Sequence, residues 1–130
     1  MKRKTIVTGA KWEDIVGYSR AVQVGNIIEV SGTVATDSSG EVVGENDVYL
    51  QTKFILMRIE NVLGQLNAAL SDVVRTRIFV TDISQWELVG KAHGEVFGEI
   101  KPATSMVEVS RLIDDKYLVE IEVTAILSDS

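Results

Sequence analysis

The chain has 130 residues, 45% hydrophobic and 25% charged, with a formal net charge of −6. That length holds one domain, residues 1–130, with a core of its own. No cysteine and a single histidine exclude disulfides, thiolate nucleophiles and the usual zinc ligand sets, so neither a metal nor another cofactor is expected. An acidic balance without clustered Lys and Arg argues against nucleic acid as a partner. No run is long and apolar enough to span a membrane, and the basic start Met1-Lys2-Arg3-Lys4 has no apolar segment behind it, so the expected compartment is the cytoplasm.

Residues 4 to 8 predict a short first strand, and Gly9 to Asp14 a loop in which Trp12 is a packing residue. Two β-rich runs, Tyr18 to Val24 and Ile27 to Val34, flank Gly25-Asn26, the two-residue connection of a tight hairpin. Asp37-Ser38-Ser39-Gly40 has turn chemistry and ends the second run. From Asp47 to Ala69 the apolar residues Ile55, Ile59, Val62, Leu63 and Leu66, continued by Leu70, fall on the stripe that only a helix brings to one face.

Val74 to Val80 returns to period two, with Val74, Thr76, Ile78 and Val80 opposing Arg75, Arg77 and Phe79. A second helix is expected from Ser84, where Ser84 and Glu87 have capping-box spacing and Ile83 and Leu88 staple spacing. Its apolar stripe is Trp86, Val89, His93, Val96 and Phe97, which assigns His93 to a core or interface role, with acid-base chemistry as the alternative. No nucleophile elbow or phosphate-cradling glycine loop accompanies it. Pro102, the one proline, starts a strand through Val109, and after a turn at Asp114, Asp115 and Lys116 comes Leu118 to Leu127. The two are read as a closing hairpin. The last strand separates into Val119, Ile121, Val123 and Ala125 on one face and Glu120, Glu122 and Thr124 on the other.

The class is therefore α+β, with two helices covering one face of a sheet. Alternation puts Tyr18, Arg20, Glu29, Ser31, Thr33, Arg75, Arg77, Met106, Glu108, Glu120 and Glu122 on the other face. Both signs of charge are balanced there, as on a solvated face or a subunit interface. Arg20 is read as an interface ion-pair member facing Glu120 or Glu122, and Arg111 as a partner of Asp114 or Asp115.

The motifs Gly17-Tyr18-Ser19-Arg20, Val30-Ser31-Gly32, Phe79-Val80-Thr81-Asp82, Pro102-Ala103-Thr104-Ser105 and Val119-Glu120-Ile121-Glu122 together resemble the YjgF/RidA family of reactive-intermediate (imine) deaminases, also called L-PSP-like, over nearly the whole chain. The resemblance implies a chorismate-mutase-like mixed sheet assembled as a homotrimer with ligand clefts between subunits. It also implies metal-free hydrolysis of imines and enamines to a keto acid and ammonia. Carried across by position, it places Tyr18, Ser31, Gly32 and Thr104 around a small-molecule substrate and makes Glu120 the catalytic carboxylate, with a purely structural role as its alternative. Arg20, which shares a strand face with Tyr18 and offers a guanidinium from another direction, and Met106 are the further substrate-binding candidates.

Thr104 stands where the family has an arginine that clamps the substrate carboxylate. Losing two charged hydrogen bonds of about 1.5–3 kcal/mol each, at about 1.36 kcal/mol per decade of rate, costs at least about a hundredfold on a carboxylate-bearing imine. Threonine's single neutral donor suits a carbonyl or hydroxyl better. The rival functions are a noncatalytic ligand-binding or regulatory protein and, third, the endoribonuclease or translation-inhibitor activity described for some of the family, to which this charge pattern lends no support.

Overall fold

A computed structural model describes residues 2–128. The elements run β1 (Arg3–Ile6), α1 (Lys11–Val16), β2 (Ala21–Val24), β3 (Ile27–Thr33), α2 (Val48–Gln65), β4 (Val73–Val80), α3 (Trp86–Phe97), β5 (Ala103–Glu108) and β6 (Val119–Ile126). The strands form one sheet in the order β1-β2-β3-β6-β4-β5. The β2–β3 hairpin turns at Gly25-Asn26 as its residues require.

The helix α2 lays Ile55, Ile59 and Leu63, all without exposed surface, onto the sheet. Asp47 caps its start by accepting from Leu50 N. It stops before the expected Ala69 because Asn67 turns left-handed (φ 59°) and lets Ala68 N return to the Leu63 carbonyl. Opposite it, Val119, Ile121, Val123 and Ala125 of β6 are each at most 1% exposed.

Several expectations are corrected. The last two strands form no hairpin. β5 runs parallel to β4, reached through α3, and β6 inserts antiparallel between β3 and β4. Gly9 to Asp14 is not all loop: Lys11–Val16 is helical, and it leaves Trp12 55% exposed rather than packed. Trp86, expected on the core stripe of α3, is 54% exposed at the first helical position. The cap there is Asp82, whose side chain accepts from Ser84 N above a short 3-10 turn, so the Ser84–Glu87 box does not form.

Two register shifts explain the misassigned faces. Between Val30 and Thr33 the chain carries one more residue than its partner β6, so both residues are buried and Thr33 crosses to the helix side. A second shift at Val74 buries Val73 and leaves Val74 43% exposed. On β5 the pairs Thr76↔Thr104, Ile78↔Met106 and Val80↔Glu108 put Thr104, Met106 and Glu108 on the helix side too, not on the open face.

Candidate functional site

The open face of the sheet holds the first cluster. Gly17, left-handed at φ 87°, ends α1 with its N–H on the Glu13 carbonyl, and Tyr18 N joins the same oxygen. Glu13 holds the loop before α1 by accepting from Thr8 N, Thr8 Oγ1 and Gly9 N. Burial opposes its charge, yet those bonds prevail and its pKa falls. Beyond Tyr18, Ser31 Oγ donates to the Ser19 carbonyl at 2.6 Å and Ser31 N to the Arg20 carbonyl at 3.0 Å. The bulge of β3 is thereby tied to the segment Ser19-Arg20 that leads into β2.

Arg20 lies with its guanidinium carbon 5.7 Å from the Tyr18 ring centre and donates from Nη2 to the Gly32 carbonyl at 3.0 Å. Within one subunit it makes no ion pair with Glu120 or Glu122. Among the described residues the one ion pair is Lys53–Glu95, so Arg111 has none with Asp114 or Asp115 either. Gly32 is the floor beneath Glu120. A Cβ at position 32 would stand 2.1 Å from Glu120 Oε2 and 2.9 Å from Cδ. Burial pushes the Glu120 carboxyl pKa up, Glu122 raises it further, and Arg20 pulls the other way. A cleft of about 330 Å³ opens on the same face, lined by Tyr18, Ser19, Val22, Glu29, Ser31 and Glu122; Glu120, Arg20 and Gly32 do not line it.

The second cluster surrounds Thr104 on the opposite face. Thr104 Oγ1 is 2.8 Å from Thr76 Oγ1, which is 3.0 Å from His93 Nε2. Thr104 also donates to the Pro102 carbonyl at 3.1 Å. Thr76 is fully buried, His93 half-buried and Thr104 exposed. Met106, half-buried, packs against the core.

Tyr18, Arg20, Ser31, Gly32 and Glu120 are thus brought together, whereas Thr104 and Met106 are not among them. β5 lies three strand spacings from β3, about 14 Å. Reading His93 as core missed its hydroxyl partners. A threonine on the buried phase of β4 was the available signal, since a buried hydroxyl must find a partner.

The sequence profile of the endoribonuclease L-PSP family matches residues 8–127. A RutC family protein of Pyrococcus abyssi is 37% identical over 126 residues, 96% of this chain and 98% of that protein. The 3-aminoacrylate deaminase RutC of Acinetobacter baylyi is 29% identical over 121 residues, 93% and 95% of the two chains. The crystal structure of Rv2704 from Mycobacterium tuberculosis, a member of the YjgF/YER057c/UK114 family, superposes with a TM-score of 0.88 at 48% identity, covering 97% of this chain and all of that one. On the profile match, these relatives and the shared mixed six-stranded sheet, the chain belongs to the endoribonuclease L-PSP family, which is the YjgF/RidA family.

Proposed function

We propose that the protein is a RidA-like homotrimer whose inter-subunit cleft binds a small polar metabolite and hydrolyses an imine, enamine or related C–N compound. The observation that carries this is the Glu120 carboxyl seated over Gly32 beside Tyr18, Arg20 and Ser31, with a raised affinity for protons. A carboxyl moved towards neutrality is suited to take a proton from water and return it. In the reaction, water oxygen bonds to the C=N carbon as the π pair moves to nitrogen, and Glu120 takes a water proton and returns it to that nitrogen, giving a carbinolamine. A second proton reaches the nitrogen, and as the C–N bond breaks to release ammonia the hydroxyl loses its proton and its electron pair forms the carbonyl.

Support for assembly comes from the open face. Arg75 and Arg77 of β4 lie alongside Glu122 and Thr124 of β6 with no ion pair among them, and a second copy offers them opposite charges. In the trimer, Thr104 and Met106 of one subunit would complete the cleft holding Glu120 of its neighbour. The distant deaminase relative supports the reaction class.

The test generates imines from a panel of amino acids with an oxidase, traps what remains with semicarbazide, and compares wild type with Thr104→Arg. Acceleration by wild type supports the enzyme; acceleration by the variant alone supports a noncatalytic binder built on the same cleft. That second reading is favoured by one observation, the bond from Arg20 to Gly32 O, which turns this guanidinium towards β3 of its own subunit. If neither protein accelerates loss, the imine-hydrolase proposal fails.

A further inference from the structure

The direction of the hydrogen bonds at position 104 follows from proton counting. A carbonyl only accepts, so the single hydroxyl proton of Thr104 is committed to Pro102 O. The 2.8 Å contact with Thr76 must then use the Thr76 proton, and Thr76, with its own proton spent, accepts from His93 Nε2–H at 3.0 Å. The chain runs His93 to Thr76 to Thr104 to Pro102, each hydroxyl both accepting and donating. Burial lowers the pKa of His93, which favours the neutral ring and its single N–H. Thr104, exposed at the end of the chain, keeps one lone pair unused.

We infer that Thr104, its proton held by Pro102 O and its hydroxyl oriented by the bonded pair of buried Thr76 and His93, meets the ligand as a hydrogen-bond acceptor, so that the ligand group at position 104 is a neutral N–H or O–H donor such as a primary amide. This rests on the proposed cleft and narrows its ligand. It reverses the donor role expected for Thr104 from sequence, because the donor proton is already held by Pro102 O. A carboxylate there meets an oxygen lone pair instead of a cation and is disfavoured.

The test has a ligand-free arm and a ligand arm. In ¹⁵N NMR of the imidazole, wild type should show His93 protonated at Nε2. Thr104→Val, a surface change that never touches the ring, frees the Thr76 proton for Nε2 and should shift the tautomer towards Nδ1–H. An unchanged ring overturns the relay.

In the second arm pyruvamide and pyruvate are titrated against the protein and followed at the Thr104 amide. Pyruvamide should bind about three- to tenfold more tightly, the worth of one neutral hydrogen bond. Thr104→Val, which removes the acceptor, should erase the preference, Thr104→Ser keep it, and Thr104→Arg reverse it. Equal or tighter pyruvate binding by wild type, or binding of neither, overturns the acceptor assignment. A protein that passes both arms but hydrolyses no imine refutes the proposed reaction alone.

Discussion

Gly32 and Glu120 should be energetically inseparable, and a double-mutant cycle measures by how much. In Gly32→Ala the new methyl lies 2.1 Å from Oε2, 2.9 Å from Cδ and 3.3 Å from Cγ, so the whole end of the side chain must retreat, not one oxygen. Forcing a glutamate off its rotamer costs about 0.5–1.5 kcal/mol and overpacking about 1–3 kcal/mol. A penalty of about 1–2 kcal/mol is expected, a fall in Tm of about 3–8 °C for a domain of this size.

In a Glu120→Ala background nothing remains for the methyl to strike, and the penalty should vanish. The coupling is then the whole of that 1–2 kcal/mol, roughly. Any loss of unfolded-state entropy on replacing glycine appears in both backgrounds and cancels. The four proteins are compared by urea denaturation at one protomer concentration, since association would otherwise shift each midpoint. Additive penalties would show that the carboxylate does not sit on Gly32, and the site would lose its floor.

The pH dependence of Glu120 has a definite sign. A carboxyl whose folded pKa lies above its unfolded value of 4.5 destabilises the fold once ionised, so stability falls as pH rises from 4.5 through the folded pKa. Glu120→Gln should remove that decline, seen as a variant-minus-wild-type difference in unfolding free energy that grows over this window and is flat below it. Glu13 has the opposite sign: its lowered pKa contributes stability above 4.5 that is lost on acidification. Glu13→Ala should speed hydrogen exchange at the Thr8 and Gly9 amides by about tenfold or more, the value of a charged hydrogen bond. Lys101 is left-handed at φ 54°, its N–H closing the end of α3 on the Phe97 carbonyl. Lys101→Gly should therefore stabilise by about 0.5–1 kcal/mol, read as a rise in Tm.

What could be read from the sequence was whatever a short window decides. The stripe Ile55, Ile59, Leu63 and the alternation Val119 to Ala125 each fix an element and its buried face from local spacing alone. The Tyr18, Ser31, Gly32 and Glu120 cluster was reached through resemblance, and the fold does gather it. The faces of Thr33, Thr104 and Met106 were missed because each depends on partners far along the chain. An added residue at Ser31-Gly32 changes phase only relative to β6, and the side taken by Thr104 is set by a parallel register against Thr76. The His93 chain of hydroxyls is invisible until that register exists. Trp12 and Trp86 show the converse, since large apolar surface suggested packing where short or terminal helical positions leave both rings outside.

The place of β6 also bears on how the molecule comes into being. The middle of the sheet is supplied by the last of its six strands in sequence, so β1-β2-β3 and β4-β5 share no edge until β6 lies between them. Until then β3 and β4 each present an open row of backbone donors and acceptors, the kind of edge that recruits strands from other chains. Closing the gap joins Ile27 to Ile126 and Val80 to Val119, contacts of long sequence separation that slow folding. Both halves thus depend on one strand, and each keeps an open edge until that strand is in place.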